Sequence, residues 1–244
     1  MPLQWNTSAK LAVAHGAKTL VYSEAGGGKT LLCATAPKPV ILSAEAGLLS
    51  LSKINLERVF GAARADITYD IPVLEIATIQ QLVEAYQMLA NPANRMREHF
   101  STICLDSLTE MAERMLSNLK ATTKDGRQAF GELIERMVQV VKDFRDLPGY
   151  NVYMSAKMEY VKDDTTGGMK FTASMPGAKL GPQLPYLFDE VFALRRGETQ
   201  GKRYRFLQTD GDDRFVAMDR SGALDAMEEP HLGKLFHKIL GVQS

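Results

Sequence analysis

Residues 18–30 read KTLVYSEAGGGKT, an apolar run that breaks into three glycines and then into Lys29-Thr30. Lys18 to Tyr22 has the make-up of a buried strand, and the glycines let a backbone take positive φ and bring its N–H groups close to an anion. The pattern G-x-x-x-x-G-K-[ST] wraps phosphate in this way, between a strand and the positive end of a helix. Its frame here is Ser23-Glu24-Ala25-Gly26-Gly27-Gly28-Lys29-Thr30, with Ser23 where the pattern has its first glycine. These residues and Leu31 are the expected nucleotide contacts. Lys29 is expected to reach the β- and γ-phosphates and share in catalysis, and the Thr30 hydroxyl to ligate Mg²⁺.

Beyond the loop, short β-rich runs alternate with helical patterns, which predicts an α/β fold: a mostly parallel sheet flanked by helices. A helix from Lys29 to Ala36 should stop near Pro37 and Pro39. Strands are expected at Pro39–Ala44, Ser101–Asp106 and Asn151–Ala156, and helices at Ile79–Ala90, Leu108–Leu119 and Gln128–Phe144. Lys157 to Pro185, rich in glycine and proline at its end, reads as a long functional loop or hairpin. Antiparallel strands follow at Glu190–Arg196, Lys202–Thr209 and Arg214–Met218, then a helix over His231–Leu240 ended by Gly241. The division expected is an N-terminal segment, 1–17, whose Trp5 either contacts another subunit or folds back, and one domain over 18–244.

A nucleotide site of this type also needs carboxylates. Asp106 ends the strand TICLD, where it is expected to hold the metal with Thr30, a helix N-cap at Asp106 or Ser107 being the competing reading. Hydrolysis needs a base beside the γ-phosphate, and Glu45, just past the strand PVILSA, is the first candidate. Glu110 and Glu24 are the alternatives.

Composition narrows the class. Apolar residues at 45% and charged residues at 24% suit a globular chain. The 29 Lys and Arg balance the 29 Asp and Glu, so any nucleic-acid site must be a local patch. Cys33 and Cys104 sit in apolar stretches and suit a reducing compartment, and His15, His99, His231 and His237 share no metal-ligand spacing. No run of 18 apolar residues occurs, so a cytoplasmic chain without a membrane partner is expected.

VILSAEAGL followed by TICLDSLTEM resembles the core of RecA. More closely, the chain resembles the phage RecA-like ATPases of the Sak single-strand annealing group, through MPGAKLG (Met175 to Gly181) and AMDRSGAL with its Asp219-Arg220 pair. The resemblance implies a RecA-like P-loop NTPase core and ATP with Mg²⁺ as cofactors. It also implies Glu45 as the water-activating residue, single-stranded DNA as partner, a homo-oligomeric ring or filament, and the host cytoplasm as location. A single-strand DNA-binding protein is a further candidate partner. Arg220 becomes the catalytic charge that reaches a neighbour's nucleotide. Where RecA proteins carry a γ-phosphate-sensing glutamine this chain has Ala156-Lys157, with Lys157 or Ser155 as substitutes.

A single strand needs a basic groove with aromatic platforms. Lys120, Lys124 and Arg127, between two helices, match the first DNA-facing loop of a RecA-like core in order. Lys157, Lys162, Lys170, Phe171 and Lys179 match the second, with Phe171 as the stacking candidate, whereas Tyr150, Tyr153, Tyr160, Phe188 and Phe192 read as packing. Arg195, Arg196, Lys202, Arg203 and Arg205 are expected at a basic hairpin tip that can bind DNA or dock a protein. The alternative function is a regulatory, scaffold or helicase-loader ATPase that acts on a replication protein.

Overall fold

The computed structural model describes residues 5–7, 14–45, 48–163, 167–177 and 179–241. In chain order the strands are β1 (Lys18–Ser23), β2 (Pro39–Ser43), β3 (Val73–Glu75), β4 (Thr102–Asp106) and β5 (Asn151–Lys162), followed by β6 (Met169–Ala173), β7 (Glu190–Thr199), β8 (Lys202–Gln208), β9 (Met218–Asp219) and β10 (Met227–Glu228). The helices are α1 (Lys29–Leu32), α2 (Lys53–Phe60), α3 (Ile79–Ala90), α4 (Met96–His99), α5 (Leu108–Thr122), α6 (Gly126–Arg145), α7 (Leu180–Gln183) and α8 (Leu232–Leu240).

The sheet runs β10-β8-β7-β1-β5-β4-β2-β3. From β7 to β3 every pairing is parallel, and β8 and β10 add on antiparallel. Every residue of β1, β2 and β4 is buried, the burial expected of strands covered on both faces. Alternation divides their side chains between two cores. Leu20, Leu42, Leu105 and Met154 pack under α3, α5 and α6, while Val21, Ile41, Cys104 and Tyr153 pack with Leu32, Leu235 and Phe236 of α1 and α8. Each buried aliphatic side chain of this kind is worth about 1.5–3 kcal/mol, so the two clusters hold the strand ends, and the loops on them, in register.

Two strands outrun the sheet. β5 lies beside β1 up to Lys157, opposite Ser23, and then pairs with β6 as a hairpin. β7 lies beside β1 up to Ala193, opposite Tyr22, and then pairs only with β8. Both hairpins therefore stand on the edge that carries the loop after β1.

The caps match the chain's own chemistry. Thr78 and Gln81 form a capping box at α3, Ser107 Oγ accepts the Glu110 N–H at α5, and Gly241 at φ 61° ends α8. The expected helix over Lys29–Ala36 is corrected to one α-turn and a 3₁₀ turn, Cys33–Thr35. Ala36 is extended because Pro37 follows it. Of the strand expected at Arg214–Met218, only a bridge from Phe215 to Phe171 and the start of β9 form. Most of the expected N-terminal segment lies outside the described residues, and Trp5 is exposed. Among the described residues no helix is long and apolar enough to cross a membrane.

Candidate nucleotide-binding site

The loop between β1 and α1 is built from its glycines. Gly26 and Gly28 have φ of 68° and 112°, and a Cβ on Gly27 would collide with the Ser23 hydroxyl. Side chains are thus excluded where the backbone must curl, which is what a cradle of N–H groups requires. With α1 only one turn long before its 3₁₀ turn, that cradle rather than a helix dipole is the element suited to an anion.

Lys29 turns its ammonium back over the loop, to Ser23 O and Ser23 Oγ, both at 3.1 Å. Burial lowers its pKa, and the carboxylates of Asp106 and Glu45 oppose that shift. Thr30 Oγ1 donates to Asp106 Oδ2 at 2.7 Å, and Ser155 Oγ donates to the other carboxylate oxygen. This juxtaposes a hydroxyl from the loop with a carboxylate two strands away, because β5 lies between β1 and β4. Asp106 and Ser107, joined by a cis peptide, divide the two roles open in the sequence: Asp106 faces Thr30 and Ser107 caps α5.

Glu45 reaches the same place from β2. Its Oε1 accepts from Ser107 Oγ at 3.1 Å. Glu110, one of the two alternative bases, is tied to Lys157 at 3.1 Å and to Arg114 at 3.8 Å. Glu45 and Lys157 line one cleft of about 560 Å³ with Ser23 to Leu31. Beneath it, Tyr153 donates to the Lys29 carbonyl at 2.8 Å and fixes α1 on the sheet.

These dispositions suit the expected cofactors. The loop backbone is open to phosphate, and a hydroxyl and a carboxylate, both hard oxygen donors, converge as Mg²⁺ requires. A larger cavity of about 980 Å³ opens at the amino ends of β2 and β4, lined in part by His99, His231 and His237. Among the described residues no cluster of His, Cys, Asp and Glu suits a metal ion there or elsewhere.

The basic residues expected at DNA separate into three groups. Lys124, between α5 and α6, and Arg127, in the first turn of α6, are exposed; nearby, Lys120 lies 5.1 Å from the Phe130 ring centroid and Gly177 abuts that ring. Lys162 and Lys179 are exposed on or near the β5–β6 hairpin, while Lys170 pairs with Asp163 at 3.0 Å. Phe171 is not an open platform. It stacks between Tyr160 and Phe215, at 4.5 and 4.9 Å, because pairing of β5 with β6 sets the first two rings side by side. Tyr160, expected to pack, is 54% exposed and caps that stack.

Two members of the third group are relocated. Arg196 Nη2 donates to the Gly26 carbonyl, and Arg205 lies across Gly28, its Nε 3.3 Å from where a Cβ would stand. They are not at the hairpin tip but opposite one another on β7 and β8, over the phosphate loop. Arg195 points to the other face, with its guanidinium 4.0 Å from the Phe215 centroid. Only Lys202 and Arg203 remain near the tip, and Arg203 pairs with Glu198 at 3.6 Å. Lys157 is likewise relocated to the cleft rim, between Glu110 and Glu113. Arg220 adjoins β9, against Asp189 at the amino end of β7, so it does not reach the loop of its own chain.

A sequence model of the AAA domain family matches residues 15–221. The chain belongs to the AAA domain family. The matched residues of this AAA-domain chain include the phosphate loop, Glu45, Asp106, the β7–β8 hairpin and Arg220. Together with the strand order, the match makes the fold an α/β, RecA-like P-loop NTPase core. A KaiC-like protein from the hyperthermophilic archaeon Pyrococcus horikoshii is similar in structure, with a TM-score of 0.45 and 12% identity over 80% of this chain and 77% of that one. No curated protein matches the sequence.

Proposed function

We propose that the chain is an Mg²⁺-dependent ATPase of the phage RecA-like, Sak type, acting on single-stranded DNA in annealing or homologous recombination. The 2.7 Å approach of Thr30 Oγ1 to Asp106 Oδ2, with Glu45 bonded to the adjoining Ser107, carries the reading. Loop N–H groups from Glu24 to Thr30 receive the phosphates, apart from that of Gly27, which donates to the Glu24 carbonyl at 3.1 Å, and the Lys29 ammonium exchanges loop oxygens for phosphate oxygens. Mg²⁺ would be held by Thr30 and Asp106 and would neutralise phosphate charge. Glu45, oriented by Ser107, accepts a hydrogen bond from the attacking water and takes its proton.

Single-stranded DNA lies across the edge that carries both hairpins, where Lys162, Lys179 and Tyr160 are exposed. Arg220 stands at the opposite edge, which suits a head-to-tail ring or filament in which it serves a neighbour's nucleotide. With Arg196 and Arg205 turned to the loop, little of the basic hairpin remains to dock a protein, which disfavours the scaffold alternative.

Steady-state phosphate release tests the enzyme assignment. Glu45→Gln is expected to lower turnover by about 10²–10⁴ with Mg-ATP affinity retained, and Lys29→Ala to lose both. Unchanged turnover in both variants removes the assignment. Titration of a labelled oligonucleotide across a salt series tests the DNA partner, because contacts to phosphate weaken steeply as salt rises.

A further inference from the structure

We infer that Arg196 and Arg205 form a phosphate clamp supplied in cis: a paired-guanidinium subsite for the polyphosphate of a nucleotide held on the same chain's loop. The inference rests on the nucleotide-binding reading and assigns two residues that the loop pattern does not contain.

Four observations support it. Arg196 and Arg205 are directly opposite on β7 and β8, a position in which like charges repel. Neither has a carboxylate partner among the described residues, whereas neighbouring Arg203 pairs with Glu198. Both reach the phosphate loop, Arg196 as donor to the Gly26 carbonyl and Arg205 across Gly28. Their strand pair is also anchored from behind. The Arg195 guanidinium lies 4.0 Å from the Phe215 centroid and 5.3 Å from that of Phe206, and Tyr204 covers Gly197 so closely that a Cβ there would stand 2.5 Å from its Cζ.

Two guanidiniums without carboxylate partners, carried on directly opposed residues, repel each other until an anion arrives. A polyphosphate relieves that repulsion and offers the planar, bidentate oxygen pairs that guanidinium recognises. The Gly26 carbonyl holds Arg196 in place beforehand, so little ordering remains when phosphate replaces it. The clamp and Arg220 thus stand at opposite edges: one serves the chain's own nucleotide, and the other can only serve a neighbour's.

The test compares wild type, Arg196→Gln, Arg205→Gln and the double variant by calorimetric titration with Mg-ATP and Mg-ADP, with apo melting temperatures as the folding control. Each single variant is expected to weaken Mg-ATP binding by about tenfold or more, the double variant by more, and Arg→Lys to recover part of the loss. Apo melting temperatures should stay near wild type. Unchanged affinity in the double variant, while wild type binds and Lys29→Ala does not, overturns the clamp and leaves the nucleotide site standing. No binding by wild type overturns both. Mixing the double variant with Lys29→Ala chains tests the cis assignment: affinity should not recover, and recovery would mean that the arginines serve a neighbouring subunit.

Discussion

The two ends of the parallel strands place like residues in unlike surroundings. At the amino ends, Lys18 and Glu190 are only 2% and 0% exposed. Lys18 donates to the carbonyls of Leu147 and Tyr150, at 3.2 and 2.6 Å, and burial brings its ammonium down to about 8. Burial, with Asp219 beside it, pushes the Glu190 carboxyl up to about 8, and its Oε2 has no partner among the described residues. At the carboxyl ends Lys29, Glu45 and Arg196 stand in or beside an open cleft, tied to hydroxyls and loop oxygens that a ligand can replace, and Arg205 lies across Gly28 beside them. Residue type therefore does not separate a structural lysine from one placed to meet a ligand. The separation comes from whether solvent, and hence a solute, can reach the charged group.

Exchanging the two lysines gives the largest contrast. Lys29→Ala should lower turnover by about 10²–10³ with little change in melting temperature. Lys18→Met should leave turnover intact but strand two buried carbonyls, at a cost of about 1–3 kcal/mol, read as a fall of about 2–4 °C per kcal/mol. Equal effects on turnover would break the comparison.

A pH series sharpens it at the amino edge. The folded-state pKa of Glu190 is raised from 4.5 to about 8, so its contribution to stability is complete below the lower value and is lost as the pH rises to the upper one. Lys18 has a lowered folded-state pKa, so above about 8 its contribution grows toward 10.5. Denaturant midpoints should fall toward pH 8 in the wild type, and Glu190→Gln should flatten that fall. The smallest effect is expected away from both edges: Thr78→Ala removes the α3 capping box for about 1 kcal/mol, with turnover unchanged.

Much of the core was legible along the chain. The strand before the glycines, the strand ending in Asp106 and the helix over Ile79–Ala90 match their sequence patterns, because buried parallel strands and amphipathic helices carry dense local signals. α2 and β3 went unread. β3 has three residues and an exposed-intermediate-exposed pattern, and α2 buries only Leu56. Neither has enough buried apolar residues to show a period.

Arg196 and Arg205 were legible as basic residues on a hairpin but not as neighbours of Gly26 and Gly28. One alternation step decides which face each arginine takes, and the parallel seating of β7 on β1 carries that face to the loop. A signal was present in the spacing: the turn Gln200-Gly201 sets Arg196 opposite Arg205. Only the sheet order shows what they face.

The chain by itself determined a phosphate loop on a buried strand, a carboxylate ending a second strand and an α/β architecture. These depend on residue types a few positions apart, whose conformational and burial preferences act locally. The pairing of Thr30 with Asp106 was expected from the motifs, but tertiary structure alone decided the other distant meetings: Glu45 with Ser107, and two arginines with the glycines about 170 residues before them. Such meetings depend on strand order and register, fixed by burial of two apolar cores summed over the whole molecule, and no local stretch of sequence contains that sum.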